Sequence, residues 1–459
     1  MFEKAAVSQL NLEDSELQDE VNKVLKQLGK QDSYWSSWAF QKVIMHLGSY
    51  SLIEYDHQNR TYGVHPLVHH WSRTTLKRNR HEMQRINLAI IALSFSLTST
   101  DEDIKYRRKL LKHTTNSIAS FKPEDINPLV GSHMAQIYGE AGRWKETEAF
   151  EVMTMEKRKR VLGDDHPSTL TSMEGLAGTY LYQGRWSDAE ALYLVIIEKR
   201  KLVLGDDNHD TLMSMGNLAA TYRDQGRWKE AEALDVVVVE KKKRLLGDCH
   251  PDTLLSMGNL AQTYMNQGRL DDAEALQVVV MEKSKRLLGE DHPETLIAMG
   301  NLAYTHKERG RLQDAEALEV LVLEKRKRLL GDEHPDTLRA MSNLAVIHWK
   351  QDCWKDAEAL QVVTMEKMKR VLGGSHYWTL DNMANLANTY RALGSLKDAE
   401  VLGVEVVETM KHALGDDHPD TLKSMSSLAS TYRALGRLND AEALEAVVEA
   451  RRCHEGSGR

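Results

Sequence analysis

Three cysteines, eight prolines and five phenylalanines in 459 residues leave this chain with little that staples or breaks a fold. Cys249, Cys353 and Cys453 are far apart and form no CxxC pair, which excludes a disulfide framework and a zinc site and points to a reducing compartment. Scarce proline permits long helices, and Ala, Leu, Glu, Lys, Arg and Met, all good helix formers, are plentiful. The net charge of −8 is spread along the chain without a basic block, so no nucleic-acid partner is expected. Its most apolar stretch, Leu88 to Leu97, is half the roughly 20 residues a membrane span needs. The acidic start lacks a sustained apolar segment, so neither a secretory signal nor a membrane partner is expected, and a cytoplasmic location is. No G-x-x-x-x-G-K-[ST] loop, nucleophile elbow, HExxH or paired-carboxylate constellation stands out. The sequence therefore predicts no enzyme, no catalytic residue, no cofactor and no metal.

What the chain has is a period. Leu-Gly recurs with its glycine at 163, 205, 247, 289, 331, 373 and 415, always 42 residues apart. Gly-Arg-Trp or Gly-Arg-Leu keeps the same step from Gly142 to Gly310 and again at Gly436, degrading to Asp352-Cys353-Trp354 and Gly394-Ser395-Leu396. A fixed period of this length signals a solenoid. Each unit reads as two helices. In one, Thr169 is the expected cap, Leu170, Met173, Leu176, Ala177 and Tyr180 share a face, and the helix closes at Gln183-Gly184. The second starts near Ser187-Asp188, buries Ala189, Leu192 and Ile196, and ends at Leu204-Gly205. Its acidic start and basic end complement the helix dipole.

The spacing Leu176-Ala177-x-x-Tyr180-x-x-x-Gly184-Arg185-Trp186-x-x-Ala189 resembles the tetratricopeptide pattern. With Leu-Gly-Asp-Asp-His-Pro-Asp-Thr-Leu between units, it is similar to the 42-residue repeats of kinesin light chains and of related fungal proteins. The resemblance covers about residues 128–450, seven to eight units, and implies a right-handed α-α superhelix whose first helices line a concave surface. It also implies that an asparagine before each Leu-Ala pair bonds the backbone of an extended peptide. Those positions are Asn217, Asn259, Asn301, Asn343 and Asn385; the first two units have His133 and Gly175, and the last has Ser427. A carboxamide carries donors and an acceptor, so five in register can pair with peptide N–H and C=O groups. The alternative is that each amide bonds a neighbouring repeat.

Further along the same helix the units differ: Arg223, Met265, Lys307, Trp349, Arg391 and Arg433. Variable positions on a constant frame suggest specificity, and four basic residues of six suggest an acidic ligand; simple solvation is the competing reading. His166, His250, His292, His334 and His418 stand beside acidic residues. A whole repeat separates equivalent loops, so these histidines are expected to serve helix starts, not one metal ion. Trp144, Trp186, Trp228 and Trp354 occupy the tetratricopeptide aromatic position and are expected in the core.

The pattern changes before the repeats. Tyr34 to Leu47 reads as a helix, Tyr50 to Tyr55 as a strand, residues 56–60 as a turn, Thr61 to Val64 as a returning strand and Pro66 to Leu76 as a helix. The segment Ser49-Tyr50-Ser51-Leu52-Ile53 with Val64-His65-Pro66-Leu67-Val68 resembles the winged helix that follows the ATPase in fungal NOD-like receptors of the NB-ARC/TPR type. In that family a Met-His-Asp histidine senses ADP, which makes His65 the nucleotide-sensor-like candidate, although Val64 and Pro66 depart from the motif. A DNA-binding use of the winged helix is disfavoured, because Arg73 is the one fixed cation between Pro66 and Leu76.

The expected organisation is an N-terminal segment (1–30), a winged-helix-like module (31–78), a helical connector (79–127, with helices at Ile86 to Leu97 and Asp103 to Ile118), the repeat array (128–450) and a disordered tail (451–459). The fold class is mainly α, a solenoid preceded by that small module. The expected role is a protein-interaction scaffold that binds a peptide, as the sensor arm of a NOD-like receptor-type protein. The other reading, a kinesin light chain-like adaptor, lacks the N-terminal heptads that family carries. Composition leaves the oligomeric state open.

Overall fold

The computed structural model describes residues 53–56, 61–64, 111, 115 and 126–456. The chain divides into two compact units, Met1–Ile137 and Tyr138–Arg459. In the first, β1 (Ile53–Asp56) and β2 (Thr61–Val64) pair antiparallel with Ile53 opposite Val64 and Asp56 opposite Thr61. The expected hairpin is present over its described residues, with Asp56 in the first strand where a turn was expected. Leu111 and Thr115 are helical, inside the connector helix expected over Asp103 to Ile118. The expected helices at 34–47, 66–76 and 86–97, and His65 itself, lie outside the described residues.

Sixteen helices follow among the described residues, in eight pairs. The first helices are α1 (Pro128–Glu140), α3 (Pro167–Tyr182), α5 (His209–Asp224), α7 (Pro251–Asn266), α9 (Pro293–Glu308), α11 (Pro335–Lys350), α13 (Tyr377–Ala392) and α15 (Pro419–Ala434). The second helices are α2 (Trp144–Leu162), α4 (Trp186–Leu204), α6 (Trp228–Leu246), α8 (Leu270–Leu288), α10 (Leu312–Leu330), α12 (Trp354–Val371), α14 (Leu396–Leu414) and α16 (Leu438–Gly456). The last one continues past residue 450 into the stretch expected to be a disordered tail.

From α2 onward each helix packs on the next in sequence, and consecutive first helices also touch one another from α5 to α9 and from α11 to α15. Second helices approach each other less closely, so the array curves with its first helices on the inner side. Ala177, Ala189, Ile196, Leu212, Leu218 and Val238 belong to one buried cluster drawn from α3, α4, α5 and α6. A repeat therefore completes its core with its neighbour's residues, as a solenoid requires. Farther apart, Gly184 after α3 sits so close to the start of α15 that a Cβ there would lie 3.1 Å from Pro419 Cδ.

The helix starts differ from the expectation. His166, not Thr169, caps α3: its Nδ1 accepts from the Ser168 backbone N–H at 3.2 Å. The Thr169 hydroxyl points back and donates to the Gly163 carbonyl at 2.9 Å, tying the linker down. Residues His250, His292, His334, His376 and His418 cap in the same way, and Asn208 does so with its side-chain oxygen. A ring nitrogen held by its own helix start has little left for a metal, and no group of three ligating side chains occurs among the described residues.

The tryptophans are not core residues. They open α2, α4, α6 and α12, where Trp144, Trp186 and Trp354 are half-buried and Trp228 is 42% exposed, and Ala189 or its equivalent takes the buried position three residues on. Arginine in the Gly-Arg pair has its own task. Arg185 lies 3.9 Å over the Tyr180 ring and bridges to Glu148 of the preceding repeat at 2.8 Å; Arg227 and Arg269 repeat this with Tyr222 and Glu190 and with Tyr264 and Glu232. Cys353 and Ser395 lack that clamp.

The degraded anchor also carries strain. At the end of the first helix glycine takes a positive φ, +72° at Gly184, but Asp352 has to adopt φ 60°, the one non-glycine to do so among the described residues. An L side chain in this region costs roughly 1–2 kcal/mol. Asp352→Gly should therefore raise stability by roughly 0.5–1 kcal/mol, net of the entropy glycine loses on folding. Urea titration followed by circular dichroism measures it, and an unchanged midpoint would show that Asp352 is unstrained.

Candidate functional site

On the inner side each first helix presents a stripe at i, i+3, i+4 and i+7, the spacing that keeps side chains on one face. In α7 it holds Leu255, Gly258 and Asn259; in α9 it holds Ile297, Gly300, Asn301 and Tyr304. Leu255 is 50% exposed, Ile297 36% and Tyr304 45%, and Met213 opens the same stripe on α5 at 38%. A Cβ added to Gly216 or Gly258 would meet nothing within 4 Å. Glycine inside a helix costs about 1 kcal/mol against alanine. Open space above it leaves the helix backbone approachable.

The five asparagines do not form a uniform ladder. Asn217 Nδ2 donates to Glu174 Oε1 of the preceding repeat at 3.1 Å, and Asn343 Nδ2 donates to Glu319 Oε1 at 3.2 Å. Asn385 bonds within its own helix to Asp381 Oδ2 at 3.3 Å. Asn259 and Asn301 have no side-chain hydrogen bond, Asn259 half-buried and Asn301 exposed. The neighbouring-repeat alternative thus holds for Asn217 and Asn343, and the free amides are the central two.

The variable positions are placed otherwise than expected. Arg223, Met265 and Arg433 each meet a residue twelve positions on, in the second helix of its own repeat. Arg223 Nη1 donates to Asp235 Oδ2 at 2.9 Å, with side chains 11% and 2% exposed, and to Thr263 Oγ1 at 3.2 Å. Met265 is 8% exposed, its sulfur 3.7 Å from Gln277 Nε2. Lys307 lies over the Tyr304 ring, pairs with Glu308 at 3.2 Å and acts electrostatically on Glu319. Arg433 holds Glu445 through two hydrogen bonds. Arg223 and Met265 are therefore interior residues, a correction to their assignment as ligand contacts: a polar or sulfur partner in the second helix draws each inward. Arg391 donates to the Ser427 carbonyl at 3.2 Å, and Trp349 stays 37% exposed. Of the six variable positions, Arg433 and Trp349 are the exposed ones, and Trp349 is the one of the two without a charged partner.

The second-helix residues were missed by sequence reasoning, although a signal existed: Arg223/Asp235, Lys307/Glu319 and Arg433/Glu445 are opposite charges at one fixed offset. Burial dominates the titration of Glu319 and Asp235, whereas the Arg433 hydrogen bond lowers the exposed Glu445. Glu319, 1% exposed, is pushed up to about 7 by desolvation, against which the Asn343 hydrogen bond acts in the opposite sense. Asp235 is raised by burial and lowered in part by Arg223, while burial depresses the Lys307 and Arg391 cations. An open cleft near Arg227, Trp228, Gln267 and Arg269 belongs to the arginine clamps, whose donors and acceptors are already mutually paired.

Comparisons with known proteins agree with this architecture. Two family models, both described as tetratricopeptide repeat, match residues 211–336 in three consecutive units and residues 129–201, 336–411 and 385–452. Among solved structures, a Rap protein complexed with competence and sporulation factor is similar with a TM-score of 0.52 at 11% identity, over 81% of this chain and 99% of that one. The apo quorum sensor NprR of B. thuringiensis gives 0.50 at 14% identity, over 76% and 96%. The nearly identical TPR-like repeats of a Podosopora anserina kinesin light chain give 0.40 at 27% identity, over 45% and 98%. No curated protein matches. No described helix is long and apolar enough to cross a membrane. With the repeat models together matching most of the chain, it belongs to the tetratricopeptide repeat proteins.

Proposed function

We propose that the array is a non-catalytic scaffold that captures an extended peptide segment of a partner protein across the inner faces of α5, α7 and α9. The carrying observation is the pair of unbonded amides, Asn259 and Asn301, each beside a helical glycine and an exposed aliphatic side chain. An amide of this kind can bond peptide backbone while the aliphatic row receives alternate side chains. The similar Rap protein, crystallised with competence and sporulation factor, supports a ligand-binding use of such an array. Because Asp235, Glu308 and Glu445 already neutralise Arg223, Lys307 and Arg433, the groove favours an apolar peptide over the acidic one that composition suggested.

The finer reading, the sensor arm of a NOD-like receptor-type protein, rests on the resemblance around residues 49–68 and is favoured by the β1–β2 hairpin within it. Peptides selected on the full chain from a displayed random library provide the test. Asn259→Ala with Asn301→Ala should weaken their binding about tenfold or more, as loss of two to three hydrogen bonds implies, with an unchanged melting curve. Unchanged affinity would remove the groove assignment.

A further inference from the structure

The second helices carry a row that packing does not explain. Val195, Val237, Val279, Leu321 and Val363 stand at one register position of α4, α6, α8, α10 and α12, and are 39, 38, 39, 40 and 44% exposed. They lie on the outer side, away from the groove. In α6 the valine run divides cleanly: Val238 and Val239 are 2% and 5% exposed in the core, while Val237 faces out. An exposed helical valine costs roughly half a kcal/mol against the best helix formers, a cost this chain bears four times. The five side chains leave about 300 Å² of apolar surface in line, the scale at which a patch on a soluble protein marks an interaction site.

One turn on stands a second row: Glu198, Glu240, Glu282, Glu324 and Glu366, all exposed. None has an ion pair within 4 Å, although the carboxylates on both flanks are paired, Glu232 with Arg269 and Asp291 with Lys325 and Arg328. Beyond them come Lys201, Lys243, Lys285, Lys327 and Lys369, of which Lys285 and Lys369 already pair with Glu290 and Glu405. The apolar row is interrupted where Glu405 replaces the next valine and resumes at Val447, 39% exposed, in α16.

We infer that the outer faces of α4 to α12 form a second docking surface, independent of the groove, for a basic amphipathic segment of another polypeptide. Its apolar side chains would cover the valine row while its Lys or Arg residues meet the unpaired glutamates. Curvature selects this occupant over a second copy, because two outward-curving faces meet over a short stretch, whereas a segment can follow five repeats.

The probes are two fluorescein-labelled helical peptides of about 18 residues, long enough to hold some helix on their own. One is built from leucine and lysine, the other from leucine and glutamate. Anisotropy titration of the full chain should show binding of the leucine–lysine peptide alone. Val237→Gln, Val279→Gln and Leu321→Gln combined should weaken it at least tenfold, and Glu240→Gln, Glu282→Gln and Glu324→Gln combined should remove its salt dependence. Asn259→Ala with Asn301→Ala should leave it unchanged, which separates this surface from the groove. The changed sites are exposed, so melting curves should stay at wild type. No binding of the leucine–lysine peptide, equal binding of both peptides, or wild-type affinity in the Val/Leu→Gln variant would each overturn the inference. So would a dimer in sedimentation velocity that the same variant dissolves, since a second copy would then occupy the face.

Discussion

Arg223→Met alone should destabilise the array by about 3–5 kcal/mol, the cost of leaving one partner of a buried ion pair without the other. Asp235 is 2% exposed, and its remaining protein donor would be the Thr263 hydroxyl at 2.6 Å. Adding Asp235→Gln should restore stability to near wild type, because the next repeat already holds Met265 against Gln277. Removal of the arginine raises the Asp235 carboxyl further, so the folded state binds a proton more tightly than the unfolded one. The single-variant defect should therefore be larger at pH 8 than at pH 5. Urea titrations at both pH values, with hydrogen exchange in α5 to α8, would show it. A neutral single variant would mean that the pair is solvated and that Arg223 faces a ligand after all.

Glu319→Gln should act in the opposite direction. Burial holds this carboxyl near 7 in the folded protein against an ordinary value of 4.5. The folded state therefore binds the proton more tightly, and stability is present at low pH and lost as pH rises from the ordinary value through about 7. Glutamine keeps an oxygen for Asn343 Nδ2 and never ionises; Gln277 and Gln361 hold the equivalent place in other repeats. The variant should gain up to about 3 kcal/mol at pH 8 and nothing near pH 4.5. The repeat is already adjusted to this residue: Gln277 and Gln361 accept from Thr305 and Thr389, but Ile347 stands in the threonine's register position and Glu319 takes its bond from Asn343. Equal stability of the two proteins at pH 8 would show Glu319 to be ionised at no cost.

Periodicity made the helices, their register and the turn glycines legible, because each depends on local spacing. Leu170, Leu176, Ala177, Ala189 and Ile196 are buried as their helical phase requires. The caps were misplaced for a physical reason: His166 and Thr169 can both serve a helix start, and only three-dimensional geometry shows the threonine bonded backward to Gly163. Tryptophan hydrophobicity suggested a core, but the first residue of a second helix sits at the rim. The site was half legible. Asparagine at a fixed phase identified the inner face, yet which amides are free depends on Glu174 and Glu319, which reach across from the preceding repeat, and on Asp381, one turn back in the same helix. Variation at 223, 265, 307, 349 and 391 resembled specificity; much of it is compensation inside a repeat, as Arg223 with Asp235 shows.

Hydrogen–deuterium exchange on the full chain, with and without a library-selected peptide, tests the central claim most directly. Capture between Asn259 and Asn301 predicts slowed exchange in α5, α7 and α9, lost in the Asn259→Ala, Asn301→Ala variant and kept in Arg223→Met, Asp235→Gln. Protection confined to the second helices, or indifferent to the two asparagines, would contradict it.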